Sequence, residues 1–484
     1  LFSLTKYERI LALVFLLSLP LCNPWVHGDG VGYYAYVRAL VVERHLNFEK
    51  DWQRGNESFA MGRVDADGKV RGDQYTSTGH LDNLWTIGPS ILWSPFLIAT
   101  HLGVLLCDRL GAHIAADGFS APYLVTMACA TALYGFLGLW ISFSLARQYF
   151  EERWAFLATL GIWGGSSLPV YMYFNPSWSH AHSAFAVALF LWYWHRTKDA
   201  RTLGQWIVLG LLSGLMVNVY YPNGVFLLIP LLEAINGYWR GWKSDSDSEI
   251  SLPRLFLWHL AYFVTFLLAL LPTLISREII FGSPFRTGYM AANTWRWTSP
   301  AFVSVLFSSD HGLLSWTPIL ILSSAGLVLF CRLARRFGIY LCVCTVCYYL
   351  VISFYPDWDG LSSFGNRFFV SLTPVFVVGL AAFFDFAARA WVRRRAFALI
   401  SAVTAVFILW NGGLIFQWGT HLIPARGPIS FREAAYNQVA VVPQDVARTL
   451  KMYFMRRRNL MDRIEQQDVR QIKQQQSGSP PGRE

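Results

Sequence analysis

The sequence predicts an all-α polytopic membrane protein with about eleven transmembrane helices and a large first outer loop. Three observations carry that prediction. Of 484 residues, 54% are hydrophobic and only 14% charged, against about 25% charged in an average soluble domain. Apolar stretches of about 18–24 residues recur along the chain, each long enough for the roughly 30 Å hydrocarbon core. The short connectors between them hold most of the excess positive charge, net +10, as helix orientation in a membrane requires. A soluble globular enzyme and a disordered chain are both excluded. The basic balance does not point to nucleic acid, because neither a binding motif nor an isolated basic domain is present.

In chain order the apolar segments fall at 9–26, 86–107, 121–146, 154–173, 179–195, 204–221, 223–237, 255–275, 313–330, 339–354, 367–388 and 396–418. The first follows a basic start (Lys6, Arg9) and reads as an uncleaved span, since no A-x-A-like site follows it. The Lys/Arg-rich connectors lie at 147–153, 196–201, 239–254, 332–336 and 389–395. The positive-inside rule assigns all five, with the N-terminus, to the cytoplasmic side. Alternate crossings satisfy that only if 86–107 does not cross. This segment, with Gly88-Pro89, Pro95 and the nearby Trp85 and Trp93, is expected to lie along or dip into the outer interface. Eleven spans result, or twelve in the alternative where 86–107 crosses. The transmembrane domain then covers 1–420. A basic C-terminal tail, 421–484, lies outside, amphipathic around Arg456-Arg457-Arg458 and expected to be disordered from 474 on. Cys344 and Cys347 have C-x-x-C spacing among seven cysteines. With no second pair or His cluster, they read as packing residues rather than a metal or redox site.

On this topology the unusual residues gather on the outer face. Asp29, in His27-Gly28-Asp29-Gly30-Val31-Gly32, sits where the first span leaves the bilayer. A carboxylate there is partly desolvated and a better base than a solvated one, and its flanking glycines let a substrate approach the backbone. Capping of the next helix is the plainer role for Asp29. His180 and His182, in Asn175-Pro176-Ser177-Trp178-Ser179-His180-Ala181-His182, point about 200° apart on a helix, which makes them poor joint metal ligands. Either one can contact a sugar or phosphate while the other packs. The loop 276–312 contains Arg286, the pair Trp295 and Trp297, and Asp310-His311. The tryptophans fit an interfacial belt or sugar stacking. Asp310 and His311 fit a second acid/base, a metal contact or a helix cap. In the last outer loop, Arg367 opens an apolar span and needs an anion. Asp357 or Asp359 can supply one as a structural ion pair, and a substrate phosphate is the alternative, because guanidinium matches phosphate oxygens bidentately.

These residues resemble the GT-C superfamily of integral-membrane glycosyltransferases, in the branch of bacterial relatives of protein O-mannosyltransferases. The resemblance covers about residues 5–420. It rests on Asp29 after the first span, the Pro/Gly-containing helix from Ile87-Gly88-Pro89 to Pro95-Phe96, and the stretch Trp358-Asp359-Gly360…Phe364-Gly365-Asn366-Arg367. It implies transfer of one sugar, with inversion, from a polyprenyl-phosphate carrier to an acceptor hydroxyl on the extracytoplasmic side of a bacterial cell membrane. Asp29 matches the family's catalytic base. Arg367, Arg286 and His180 are then candidates to neutralise the departing phosphate, with His182, Asp310, His311 and Asp359 as further substrate contacts. Eukaryotic-type members carry an Asp-Glu pair where this chain has Asp29-Gly30, so a lipid, a glycan and a protein all stay open as acceptor. No cofactor is required, and a divalent cation stays open. The competing classes are a transporter or lipid-linked glycan flippase, and a glycan polymerase or ligase. Transport is disfavoured because the spans are nearly free of charge and show no repeated half.

Overall fold

Local sequence starts the first helix. The Thr5 hydroxyl accepts from the Glu8 N–H at 3.2 Å, and the Glu8 carboxylate accepts from the Thr5 N–H at 2.8 Å. This reciprocal cap opens α1, Lys6–Ser18, and a 3₁₀ turn containing Pro20 ends it. The computed structural model describes residues 4–199, 201–242, 252–289, 292–390 and 392–478. After α1 come α2 (Asp29–Arg38), α3 (Gly88–Arg109), α4 (Ala121–Ala146), α5 (Glu152–Gly165), α6 (His180–Thr197) and α7 (Leu203–Val219). They are followed by α8 (Leu228–Trp242), α9 (Leu252–Phe281), α10 (Ile319–Leu333), α11 (Arg335–Phe354), α12 (Thr373–Ala388) and α13 (Arg393–Gly419). The tail forms α14 (Phe431–Ala440), α15 (Val442–Met455) and α16 (Arg457–Gly478). Every apolar segment of the sequence carries a helix, and no sheet occurs among the described residues.

Among the described residues, six helices are long and apolar enough to cross a membrane: Gly88–Arg109, Ala121–Ala146, Leu252–Phe281, Arg335–Phe354, Arg367–Ala388 and Arg394–Gly419. Others expected to cross are shorter or more polar. A π-turn over Val170–Phe174 follows α5, a 3₁₀ stretch over Tyr221–Leu227 precedes α8, and α6 carries three histidines and an arginine. The outer side of α9 is a continuous apolar surface, with Phe256, Leu260, Phe263, Leu267 and Leu271 exposed. Lipid contact explains such a face.

The segment expected to lie in the interface is one uninterrupted helix, α3, and its neighbours show where it leads. The Trp93 Nε1–H donates to the Thr131 hydroxyl at 2.9 Å, His101 meets Tyr123 at 2.6 Å, and the Tyr134 hydroxyl donates to the Leu92 carbonyl at 2.9 Å. Thus α3 runs back along the first half of α4. Beyond Leu92, α4 continues alone to Arg147, which pairs with Glu8 at the start of α1 (2.7 Å). So α3 points away from the end of the bundle where α1 begins.

The helix that positions the site is α12. It is buried on all sides, as a helix apolar all round should be. Its Gly379 backbone packs so closely on Gly326 and Ser323 of α10 that a Cβ at either glycine would overlap main chain. A 3₁₀ turn, Arg367–Leu372, leads into α12, so the most rigid helix of the bundle presents Arg367 at its tip.

Candidate functional site

Three segments converge on Arg367. From α2, Asp29 reaches it: Oδ2 lies 2.9 Å from Arg367 Nη1. From the turn before α6, the Trp178 ring lies under the guanidinium at 4.4 Å, a cation–π contact. From its own loop, Gly360 (φ +75°) lies so close that an added Cβ would sit 3.2 Å from Arg367 Nε. Arg367 Nε itself is buried without a partner. The guanidinium therefore spends one edge on Asp29 and keeps a donor in reserve.

Asp29 does not cap a helix. It is the first residue of α2; Gly28 is the capping residue, with φ +53° and no side-chain cap. Gly28 lines the cavity, whereas Gly30 and Gly32 serve packing rather than substrate approach, which corrects the sequence expectation for Gly30. A Cβ at Gly30 would lie 1.9 Å from Ser177 Oγ, and one at Gly32 would lie 1.9 Å from the Trp85 ring. The turn is held by the Trp178 Nε1–H donating to the His27 carbonyl (3.0 Å) and the Gly28 N–H donating to Asn56 Oδ1 (2.9 Å). Gly30→Ala is expected to cost about 1–3 kcal/mol of stability through overpacking, read as a lowered melting temperature in detergent.

Asp29 and Arg367 share the wall of a cavity of about 480 Å³. Arg63 and Arg426 line the same space, and neither has a carboxylate within ion-pair distance among the described residues. Burial lowers the pKa of both guanidinium groups, and nearby carboxylates, Asp29 among them, offset it only in part. His27 also faces the cavity, and burial pushes its pKa down to about 4. Most of the remaining wall is aromatic and aliphatic, including Trp25, Phe174, Phe416, Trp418, Leu450 and Ile464, with Asn23, Asn175 and Asp468 among its polar members. An anion attached to a hydrocarbon chain fits this mixture.

The tail closes the cavity. The Tyr453 hydroxyl donates to the Leu21 carbonyl (2.7 Å), Arg457 donates to the Cys22 carbonyl (2.6 Å), and Glu465 accepts from the Ser58 N–H (2.6 Å). Asp468 pairs with His421 at 2.8 Å, and both line the cavity. The tail is helical through Gly478, where disorder was expected from 474; residues 479–484 lie outside the described ones.

The other sequence candidates are placed elsewhere. His180 is buried against Tyr171, Trp178 and Tyr220, off the cavity wall. His182 is fully buried against Trp93 and Tyr134. Arg286 is exposed and lies over the Phe281 ring at 5.6 Å. Asp310, His311 and Asp359 form a cluster of their own. Trp295 and Trp297 stack on each other (5.5 Å). Arg367 pairs with neither Asp357 nor Asp359, as the sequence proposed, but with Asp29. Arg63, Arg426 and Trp178 were missed: Arg63 stands among charges that alternate from Asp65 to Asp73, and nothing near Arg426 marks it as facing a cavity.

No family model matches the chain, and no curated protein matches it. Its structure resembles the oligosaccharyltransferase of Archaeoglobus fulgidus solved with zinc and sulfate, at TM-score 0.50 and 17% identity over 86% of this chain and 55% of that one. The same organism's oligosaccharyltransferase AglB, in complex with an inhibitory peptide and a dolichol-phosphate, gives TM-score 0.48 and 13% identity, covering 96% and 56%. ArnT from Cupriavidus metallidurans gives 0.45 and 13%, covering 89% and 73%. The chain spans about half the length of the oligosaccharyltransferases it matches. At TM-score 0.50, the likeness to the oligosaccharyltransferase solved with zinc and sulfate shows that the chain shares its fold with that protein.

Proposed function

We propose that the chain is a glycosyltransferase moving a sugar, with inversion, from a polyprenyl-phosphate carrier to an acceptor hydroxyl. The observation that carries this reading is the Asp29–Arg367 pair on the wall of a cavity that combines unpaired cations with apolar surface. The shared fold with an oligosaccharyltransferase agrees with it. In the reaction, the acceptor oxygen forms a bond to the anomeric carbon as the carbon–oxygen bond to phosphate breaks. Asp29 takes the acceptor's proton. The phosphate departs with its charge held by Arg367, Arg63 and Arg426, so no general acid is needed. Donor binding draws Arg367 from Asp29 onto the phosphate and leaves the carboxylate free to act as base. The isoprenoid chain lies along the aromatic and aliphatic wall.

Purified protein given a synthetic polyprenyl-phosphate hexose and a mixed set of lipid, glycan and peptide acceptors should release polyprenyl phosphate and form a mass-shifted product. Failure to turn over the carrier with any acceptor, despite donor binding, contradicts the reading. A product lengthened by repeated units identifies a polymerase instead. Transport is disfavoured because the long apolar helices are nearly free of charge.

The site is placed on the extracytoplasmic face of the membrane. In cells whose chain lacks its native cysteines, Leu361→Cys is expected to react with an impermeant thiol reagent and Arg332→Cys is not. The reverse labelling contradicts that orientation.

A further inference from the structure

Behind the cavity wall lies a second constellation that sugar transfer does not use. One ligand atom each from Asp310, His311 and Asp359 lies within 4.8 Å of the others. His311 is fully buried, and neither of its ring nitrogens has a hydrogen-bond partner; Asp310 Oδ1 is also buried without one. His311 Nδ1 lies 3.4 Å from Asp310 Oδ1. No Lys or Arg lies within ion-pair distance of either carboxylate among the described residues. A buried imidazole with both nitrogens idle beside two uncompensated carboxylates is costly unless something else binds them.

The turn is built to hold this arrangement. His311 adopts φ +57°, a left-handed conformation uncommon outside glycine, asparagine, aspartate and histidine. The Asp310 N–H donates to Ser308 Oγ (3.0 Å), Ser315 Oγ donates to the Ser308 carbonyl (2.6 Å), and Trp316 packs on the His311 ring at 5.0 Å. Across from it, the Ser363 hydroxyl donates to the Asp359 carbonyl at 3.1 Å.

We propose that Asp310, His311 and Asp359 bind a divalent cation of the zinc class, which fastens the 308–312 turn to the 355–367 loop. An imidazole with two carboxylates suits zinc, whereas magnesium favours oxygen ligands and retained waters. Bonds of about 2.0–2.2 Å need the three ligand atoms drawn slightly closer, which side-chain rotation supplies. Asp359 is followed by Gly360, Leu361 and Ser362, which line the cavity. The ion therefore stiffens the wall against Arg367 without touching substrate.

Binding is read directly, so the outcome does not depend on sugar transfer. Chelator-stripped protein in detergent is titrated with Zn²⁺, and bound metal is counted after dialysis. One equivalent is expected, with affinity lowered at least tenfold in His311→Ala and in Asp359→Asn and unchanged in Asp29→Asn. Asp359 is half-exposed, so its amide variant should fold even where His311→Ala does not. Absence of stoichiometric zinc, binding unaffected by Asp359→Asn, or binding abolished by Asp29→Asn overturns the assignment.

Discussion

Asp29→Asn should lower sugar transfer about 10²–10⁴-fold, the usual contribution of a positioned general base, while donor binding persists. The amide keeps the shape of the carboxylate and still offers an oxygen to Arg367, so the turn at His27 and Gly28 should hold. The melting temperature checks that point. Because Asp29 acts on the acceptor's proton, the loss should fall on kcat rather than KM. Asp29→Glu is the informative companion: the base is retained but displaced, so activity should lie between the wild type and the amide. Full turnover in the Asp29→Asn variant would remove Asp29 from the chemistry and leave its ion pair as a structural strut.

Arg367→Lys is the second large effect. The substitution keeps a positive charge but loses the planar fork, which meets phosphate oxygens in pairs, and the stack on Trp178. A drop of about 10²–10³-fold in kcat/KM is expected, in the range seen when one preorganised charge-stabilising donor is removed. The split between constants tells what Arg367 does. If it stabilises the departing phosphate, kcat falls; if it only anchors the donor, KM rises and kcat stays. Arg63→Ala and Arg426→Ala should give smaller versions of the same change, since neither is tied to Asp29.

Much of this was legible in the sequence. Apolar segment length alone located every long helix up to residue 419, because the requirement to satisfy backbone polar groups in lipid leaves the helix as the available local structure. The two residues at the centre of the site were also readable. Asp29 stood out as a carboxylate beside the first span, and Arg367 as a cation opening an apolar one. Their pairing was not readable, because nothing local tells an arginine which of three acidic residues folding will bring to it. Gly30 and Gly32 misled for a related reason: their need for space comes from Ser177 and Trp85, which reach them from distant parts of the chain. His180 and His182 were chosen for chemistry at a membrane edge, and their burial among aromatic rings is a packing outcome. The tail showed its amphipathic pattern, but what its apolar face would cover depends on a cavity that exists only after the bundle forms.

The most direct measurement is an experimental structure of the Asp29→Asn protein with an intact polyprenyl-phosphate sugar bound. The phosphate should lie within hydrogen-bond distance of Arg367, the anomeric carbon should face residue 29, and the isoprenoid should run along the apolar wall. A carrier bound with its phosphate away from Arg367, or with its sugar turned from residue 29, would contradict the account.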